Sequence, residues 1–233
     1  MSRIKGLIFD KDGTLFDFAA TWETWASTFL LRLTDGDIAR AIEVGAAMEF
    51  DLLTRKFAPT SIAIAGTAEE IAQTLLPYVD GYTAATLLDV LNAEAEKAPQ
   101  KEAVPLVPLL DEFKARDLRL GLATNDSEAP ALAHLGQAKI TGYFDFISGS
   151  DSGFGGKPAP GQLLAFAQHI GLEPQDIAMV GDSAHDLVAG RAAGMHAVAV
   201  LSGMAGPEDL SPLADVVLPD IGHLPEWLDQ MAT

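Results

Sequence analysis

The chain has 233 residues, of which 48 % are hydrophobic and 21 % are charged, so it is long enough to bury a sizeable core in one or two domains. Its 15 basic and 33 acidic residues give a net charge of −18, which excludes most of its surface as a partner for nucleic acid or an anionic membrane. Cysteine is absent, and no run is apolar enough for a signal peptide or a membrane span, so we expect a cytoplasmic protein without a thiolate nucleophile, a cysteine-ligated zinc ion or a membrane partner.

Short apolar runs alternate with amphipathic segments from about residue 104 onwards, a pattern typical of a parallel sheet covered by helices. Strands are predicted at residues 4–9, 118–123, 144–148, 177–180, 196–201 and 216–218. Helices between these strands are predicted at residues 106–115, 128–135, 161–170 and 185–193. The connections are too long for hairpins, so right-handed crossovers should give an α/β fold with a three-layer, Rossmann-like parallel sheet core.

Residues 18–97 interrupt this alternation, because their apolar residues follow helical spacing. One helical stripe is formed by Trp22, Trp25, Ala26, Phe29, Leu30 and Leu33, which we expect to form core packing. Further helices are predicted at residues 37–53, 67–76 and 83–97. We therefore predict an all-helical cap domain of residues 18–97, inserted after the first strand of a catalytic core formed by residues 1–17 and 98–233.

Polar side chains follow four strands of the predicted core, at the points where those strands end. They are Asp10 and Asp12 after the first strand, Thr124 and Asn125 after the second, Lys157 in the loop after the third, and Asp182 and Asp186 after the fourth. The carboxyl ends of parallel strands meet at one edge of a sheet, where ligands bind. Four carboxylates in one place need a compensating cation, and oxygen ligands without cysteine or paired histidines favour Mg²⁺ over zinc.

These residues also form ordered motifs. The segment Phe9-Asp10-Lys11-Asp12-Gly13-Thr14-Leu15 resembles the first motif of the haloacid dehalogenase superfamily of phosphatases. The other three motifs follow in order as Thr124 in Ala-Thr-Asn, Lys157 in Gly-Lys-Pro, and Gly181-Asp182 with Asp186. The resemblance extends from residue 9 to residue 194, and the insertion falls where the phosphoglycolate phosphatase-like branch carries its cap.

The resemblance implies a role for each core residue. Asp10 would attack phosphorus to form an aspartyl-phosphate, and Asp12 would protonate the leaving oxygen and then deprotonate the attacking water. Thr124 would donate a hydrogen bond to a phosphoryl oxygen, Asn125 would assist in substrate binding, and Lys157 would neutralise the transferring group.

The resemblance also implies a magnesium site. Asp182 and Asp186 would hold Mg²⁺ together with the Asp10 carboxylate and the backbone carbonyl of Asp12. Lys11 stands where members of the family more often have an apolar residue, and we expect its role to be structural.

The implied activity is hydrolysis of a small phosphate ester, of the phosphoglycolate or sugar phosphate class. If the substrate carries a second anionic group, the adjacent cap residues Arg55 and Lys56 are the candidates to meet it. A phosphomutase of the β-phosphoglucomutase type shares the core motifs and stays an alternative. A phosphorylatable signalling module is disfavoured by Asp12, whose evident purpose is turnover. The sequence leaves a monomer and a homodimer equally open.

Overall fold

The structure is a computed structural model that describes residues 4–231, and no helix within this range is long and apolar enough to cross a membrane. The strands are β1 (Gly6–Phe9), β2 (Phe50–Asp51), β3 (Lys56–Phe57), β4 (Arg119–Ala123), β5 (Phe146–Ser148), β6 (Ile177–Gly181), β7 (His196–Val200) and β8 (Val216–Leu218). The helices are α1 (Phe18–Leu33), α2 (Ile38–Ala47), α3 (Ile62–Ala65), α4 (Ala68–Leu75), α5 (Ala84–Ala95), α6 (Leu106–Ala115), α7 (Glu128–Gln137), α8 (Gly161–Ile170), α9 (Ala184–Ala193), α10 (Pro207–Leu210) and α11 (Leu224–Met231). Single 3₁₀ turns lie at Leu76–Tyr78, Thr141–Tyr143, Pro174–Asp176 and Ile221–His223.

The core is a six-stranded parallel sheet in the order β5-β4-β1-β6-β7-β8. This arrangement confirms the predicted α/β fold. Phe9, the last residue of β1, pairs with Leu122 of β4 and with Val180 of β6. Because these three central strands end level with one another, the residues that follow them emerge at the same edge of the sheet.

The inserted segment has its own apolar cluster, which includes Trp25, Phe29, Val44 and Leu91 and is separate from the clusters on the sheet. It is helical apart from a short antiparallel hairpin of β2 and β3. The helix expected over residues 37–53 is therefore too long, since α2 ends at Ala47.

The hairpin has a local physical cause. Glu49 adopts a left-handed φ of 56°, which ends the helical path, and the Asp51 carboxylate accepts hydrogen bonds from the N–H groups of Leu53 and Thr54 in the following turn. Phe50 and Phe57 then pack across the two strands with ring centroids 4.7 Å apart. These aromatic rings bury the hairpin against the helices of the insertion.

Two chain segments join the insertion to the core, and they run side by side. The N–H of Asp17 donates to the carbonyl of Lys101 at 2.8 Å, and the N–H of Ala103 donates to the carbonyl of Leu15 at 2.9 Å. We propose this paired connection as the boundary between the core and the cap, with the cap at residues 18–97.

Candidate active site

A small cavity lies between the carboxyl edge of the sheet and the inserted segment, with a volume of about 60 Å³. The core side of its wall contains every core residue that the sequence predicts: Asp10, Asp12, Thr124, Asn125, Lys157, Asp182 and Asp186. The fold therefore brings together residues as far apart in the chain as Asp10 and Asp186.

Lys157 connects two of the carboxylates in this cavity. Its Nζ lies 2.5 Å from Oδ1 of Asp10 and 2.6 Å from Oδ1 of Asp186, and all three side chains are buried. Burial raises the pKa of Asp10 to about 7; Lys157 opposes this rise, whereas Asp186 and Asp12 add to it. Burial alone would lower the pKa of Lys157, but attraction to Asp10 and Asp186 outweighs it, so the pKa is raised and the ammonium stays charged.

Asp10, Asp182 and Asp186 form a buried carboxylate triad, whose ligand oxygens lie within 4.8 Å of one another. Burial, and then repulsion by Asp10 and Asp186, raises the pKa of Asp182 well above its usual range. A divalent cation would relieve this repulsion, and three hard oxygen donors are the ligands that such a cation prefers. The triad therefore fits a divalent metal ion.

The backbone fits closely around Asp182. Thr14 Oγ1 donates to Oδ1 of Asp182 at 3.3 Å. Gly13, with a φ of 83°, and Gly203 approach the same carboxylate so closely that a Cβ atom on either residue would overlap it. The requirement for glycine at Gly13 is thus both conformational and steric.

Asp12 also lines the cavity, but its side chain is not part of the triad. Its Oδ2 is 2.6 Å from Nζ of Lys11, while its Oδ1 is buried without a hydrogen-bond partner in the described chain. Lys11 is itself fully buried and also contacts Asp126 Oδ2 at 3.4 Å and His134 Nδ1 at 2.9 Å. It lies 5.3 Å from the ring centroid of Trp22, which adds a cation–π contact.

The charges of this second cluster depend on one another. Burial would lower the pKa of Lys11, but Asp12 and Asp126 outweigh it and raise that pKa. Burial raises the pKa of Asp126 to about 6, although Lys11 opposes the rise. Burial and the Lys11 charge lower the pKa of His134 to about 4. Because the Ala95 carbonyl can only accept, His134 carries its proton on Nε2, 2.8 Å from that oxygen, and accepts from Lys11 through Nδ1.

Thr124 and Asn125 follow β4 as predicted, but they serve different purposes. Thr124 Oγ1 accepts the N–H of Asp126 at 3.1 Å, which leaves the hydroxyl proton to be donated into the cavity. The Asn125 side chain is committed to the backbone: Nδ2 donates to the carbonyls of Ala65 and Lys157 at 2.7 and 2.8 Å, and Oδ1 accepts the Lys157 N–H at 2.7 Å. Asn125 therefore clamps the Lys157 loop to the inserted segment. It also lines the cavity, and its part in substrate binding stays a prediction.

The structure does not bring Arg55 or Lys56 to the cavity, contrary to the expectation from the sequence. Both are exposed on the hairpin, and Lys56 pairs with Glu23 at 2.9 Å. The hairpin orients these side chains towards solvent because its buried positions are occupied by Phe50 and Phe57.

Four further residues beside the site were not selected from the sequence: Lys11, Asp126, His134 and Trp22. Asp126 carries a signal, since it continues the polar segment after the second predicted strand. His134 carries none, because it lies 123 positions from its partner Lys11 within a predicted helix.

Residues 4–194 match the family described as haloacid dehalogenase-like hydrolase, and the chain belongs to this family. The family resemblance and the class of enzyme predicted from the motifs are thereby confirmed.

Two proteins that are similar in sequence are named as phosphatases. The chain is 31 % identical to a phosphoglycolate phosphatase of Rhodospirillum rubrum, over 96 % of this chain and 90 % of that protein. It is 29 % identical to the fructose-1-phosphate phosphatase YqaB of Escherichia coli, over 85 % of this chain and 97 % of that protein. The fold is shared with a β-phosphoglucomutase from Clostridium difficile, which has a TM-score of 0.69, 18 % identity and coverage of 98 % of this chain and 99 % of that one.

Proposed function

We propose that this protein is a Mg²⁺-dependent phosphomonoesterase that hydrolyses a small phosphate ester through an aspartyl-phosphate on Asp10. The observation that carries the proposal is the buried ammonium of Lys157, which holds Asp10 and Asp186 at 2.5 and 2.6 Å beside Asp12 in one cavity. The relatives in Rhodospirillum rubrum and Escherichia coli are named for the hydrolysis of small phosphate esters, which supports the same substrate class here.

In the first step, a carboxylate oxygen of Asp10 attacks phosphorus, and the bond between phosphorus and the ester oxygen breaks. Asp12 transfers its proton to that oxygen, so the product leaves as an alcohol. The Oδ1 atom of Asp12 suits this role because it is buried at the cavity without a hydrogen-bond partner in the described chain, while Oδ2 is fixed by Lys11.

In the second step, a water molecule attacks the phosphorus of the aspartyl-phosphate. Asp12, now a carboxylate, takes a proton from this water, and the bond between phosphorus and Asp10 breaks to release inorganic phosphate. One side chain thus acts as an acid and then as a base, which returns the enzyme to its starting protonation state.

Phosphoryl transfer requires positive charge around the three equatorial oxygens more than further covalent chemistry. Lys157 provides this charge from the protein, and the Thr124 hydroxyl donates a hydrogen bond to a phosphoryl oxygen. Asp10, Asp182 and Asp186, with the backbone carbonyl of Asp12, would hold Mg²⁺, which when bound supplies countercharge to the phosphoryl group.

The first test is release of phosphate from p-nitrophenyl phosphate. We expect activity with Mg²⁺, loss of activity with EDTA, and a decrease of at least about 10³-fold in Asp10→Asn, because the amide is a poor nucleophile. Asp89→Asn changes an exposed carboxylate on α5 and should retain full activity. Undiminished turnover by Asp10→Asn would overturn the proposal.

The second test traps the intermediate. In Asp12→Asn, p-nitrophenolate can leave without protonation, but the attacking water has lost its base. We therefore expect phosphate to remain bound to the protein when a reaction with ³²P-labelled substrate is stopped rapidly with acid. This phosphate should be stable in acid and released by alkali. Absence of label from Asp12→Asn, together with rapid phosphate release, would contradict the two-step scheme.

A further inference from the structure

The inserted segment forms a cavity wall without charge. Its contributions include the side chains of Phe18, Trp22, Trp25, Ile64, Ile71 and Leu91, and no charged residue from the segment lines the cavity in the described structure. The ester oxygen of a bound substrate faces Asp12, so the alcohol part of the substrate has to extend from the core residues towards this wall.

The positive charges of the segment are directed elsewhere. Arg32 and Lys97 pair with Glu94, Arg40 pairs with Glu43, and Lys56 pairs with Glu23. Arg55, the remaining cation of residues 18–97, is exposed on the hairpin. None of these cations lines the cavity, so the wall offers no charged partner for a carboxylate or a second phosphate on the substrate. Its polar side-chain groups include the indole N–H of Trp25, which is buried without a hydrogen-bond partner in the described chain.

The buried lysines of the core side do not compensate for this absence; His185, which also lines the core side, is half-buried. The fixed cation of the core side, Lys157, is already held between Asp10 and Asp186. Lys11 is fully buried and is held by Asp12 and His134. A second anionic group would therefore be desolvated against an apolar wall, which is unfavourable, whereas methyl and methylene groups would gain from the same burial.

The wall is also fixed in position. Trp22 packs edge-on against Trp25 with centroids 5.1 Å apart, and Trp25 stacks on Phe29 at 5.0 Å with an interplanar angle of 6°. Asn125 ties the carbonyl of Ala65 to the core at 2.7 Å. These contacts preserve the apolar surface over the catalytic residues.

We propose, on the basis of the phosphatase function proposed above, that the preferred substrates are phosphate monoesters whose alcohol part is small, uncharged and apolar. Esters whose alcohol part carries a carboxylate should be poor substrates, because that charge would lose its water against an uncharged wall. This preference differs from the substrate in the name of the Rhodospirillum rubrum relative.

The experiment compares isobutyl phosphate with 2-phosphoglycolate, because an isopropyl group and a carboxylate of similar shape occupy corresponding positions in the two esters. We expect kcat/KM for isobutyl phosphate to be at least tenfold higher. An equal or higher value for 2-phosphoglycolate would overturn the proposed preference while supporting the phosphatase function. No phosphate release from these esters or from p-nitrophenyl phosphate would overturn the phosphatase function itself.

A variant makes the test specific to the wall. Ile64→Lys places an ammonium group beside the cavity and should shift the ratio of kcat/KM values at least tenfold towards 2-phosphoglycolate. Leu53→Lys adds the same charge at a side chain that is 77 % exposed and does not line the cavity, so it should leave the ratio unchanged. An unchanged ratio in a folded, active Ile64→Lys enzyme, or an equal shift in Leu53→Lys, would contradict control of specificity by this wall.

Discussion

The Nζ atom of Lys11 lies 2.6 Å from Oδ2 of Asp12, although the two residues are neighbours at the end of a buried strand. The contact leaves the Asp12 Oδ1 atom free and fixes the orientation of the carboxylate. The same ammonium separates Asp12 from Asp126 and donates to His134, which in turn contacts the carbonyl of Ala95 at the end of α5. One buried cation therefore connects the proposed acid and base with the inserted segment.

Replacement of this cation should destabilise the protein strongly. Lys11→Met leaves Asp12 and Asp126 without their shared partner, and loss of one member of a buried ionic cluster costs about 3–5 kcal/mol. Urea denaturation would measure the change in the free energy of unfolding. Lys5→Met is the matched control, because that side chain is 55 % exposed and its pair with Asp176 should contribute less than about 1 kcal/mol. Equal stabilities of the two variants would contradict the role assigned to Lys11.

His134 should make folding sensitive to acid. Its pKa is lowered from 6.5 to about 4 in the folded protein, so between these values the unfolded chain takes up a proton that the folded chain does not. Its contribution to stability is therefore complete above pH 6.5 and is lost as the pH falls towards 4, by up to about 3 kcal/mol. Buried carboxyl groups with raised pKa values change the free energy of unfolding with pH in the opposite direction. The effect of His134 is therefore measured as the difference between the wild type and a variant at this position.

The comparison uses His134→Gln, whose amide does not titrate in this range. The free energy of unfolding of the wild type, measured from pH 7 to pH 4.5, should fall more steeply than that of the variant. His169→Gln changes an exposed histidine and should follow the wild-type curve. Parallel curves for the wild type and His134→Gln would show that His134 stays equally protonated in both states.

The positions of the core motifs could be predicted because parallel strands share an edge. Asp10, Thr124 and Asp182 each follow an apolar strand, so the topology alone brings them together. The partners of Lys11 were not predictable in this way. His134 lies on a helix whose pattern only indicates burial, and a hydrogen bond across 123 positions leaves no local signal in a single sequence.

The hairpin in the inserted segment shows a second limit of the sequence pattern. Strands of two residues are too short to display an alternation of apolar and polar residues, so the sequence pattern predicts that the helix continues through Phe50. Tertiary packing of Phe50 against Phe57 determines the local structure instead. The same hairpin directs Arg55 and Lys56 into solvent and away from the cavity, which charge and sequence position alone do not reveal.

The Asn125 clamp should control how firmly the inserted segment is held over the site. Asn125→Asp retains an acceptor for the Lys157 N–H but removes both Nδ2 hydrogen bonds, to Ala65 and to Lys157. We expect faster hydrogen exchange in α3 and a decrease of at least tenfold in kcat/KM. Gln137→Glu removes a comparable but exposed hydrogen bond between the core and the carbonyl of Glu96, and it should change neither quantity by more than about twofold. An unchanged rate of hydrogen exchange in α3 of Asn125→Asp would contradict the role of Asn125 as a clamp.

Gly13 should be required for metal binding rather than for folding alone. In Gly13→Ala, the new Cβ atom overlaps the Asp182 carboxylate and has to displace it from the triad. We expect the Mg²⁺ concentration for half-maximal activity to rise at least tenfold. Gly153→Ala is the matched control, because Gly153 has a similar φ of 89° but no atom within 4 Å of the added Cβ. Both variants should lose about 1 kcal/mol of stability through backbone strain. Only Gly13→Ala should need more Mg²⁺ for half-maximal activity. An equal Mg²⁺ requirement in the two variants would show that strain, and not displacement of Asp182, is the cause.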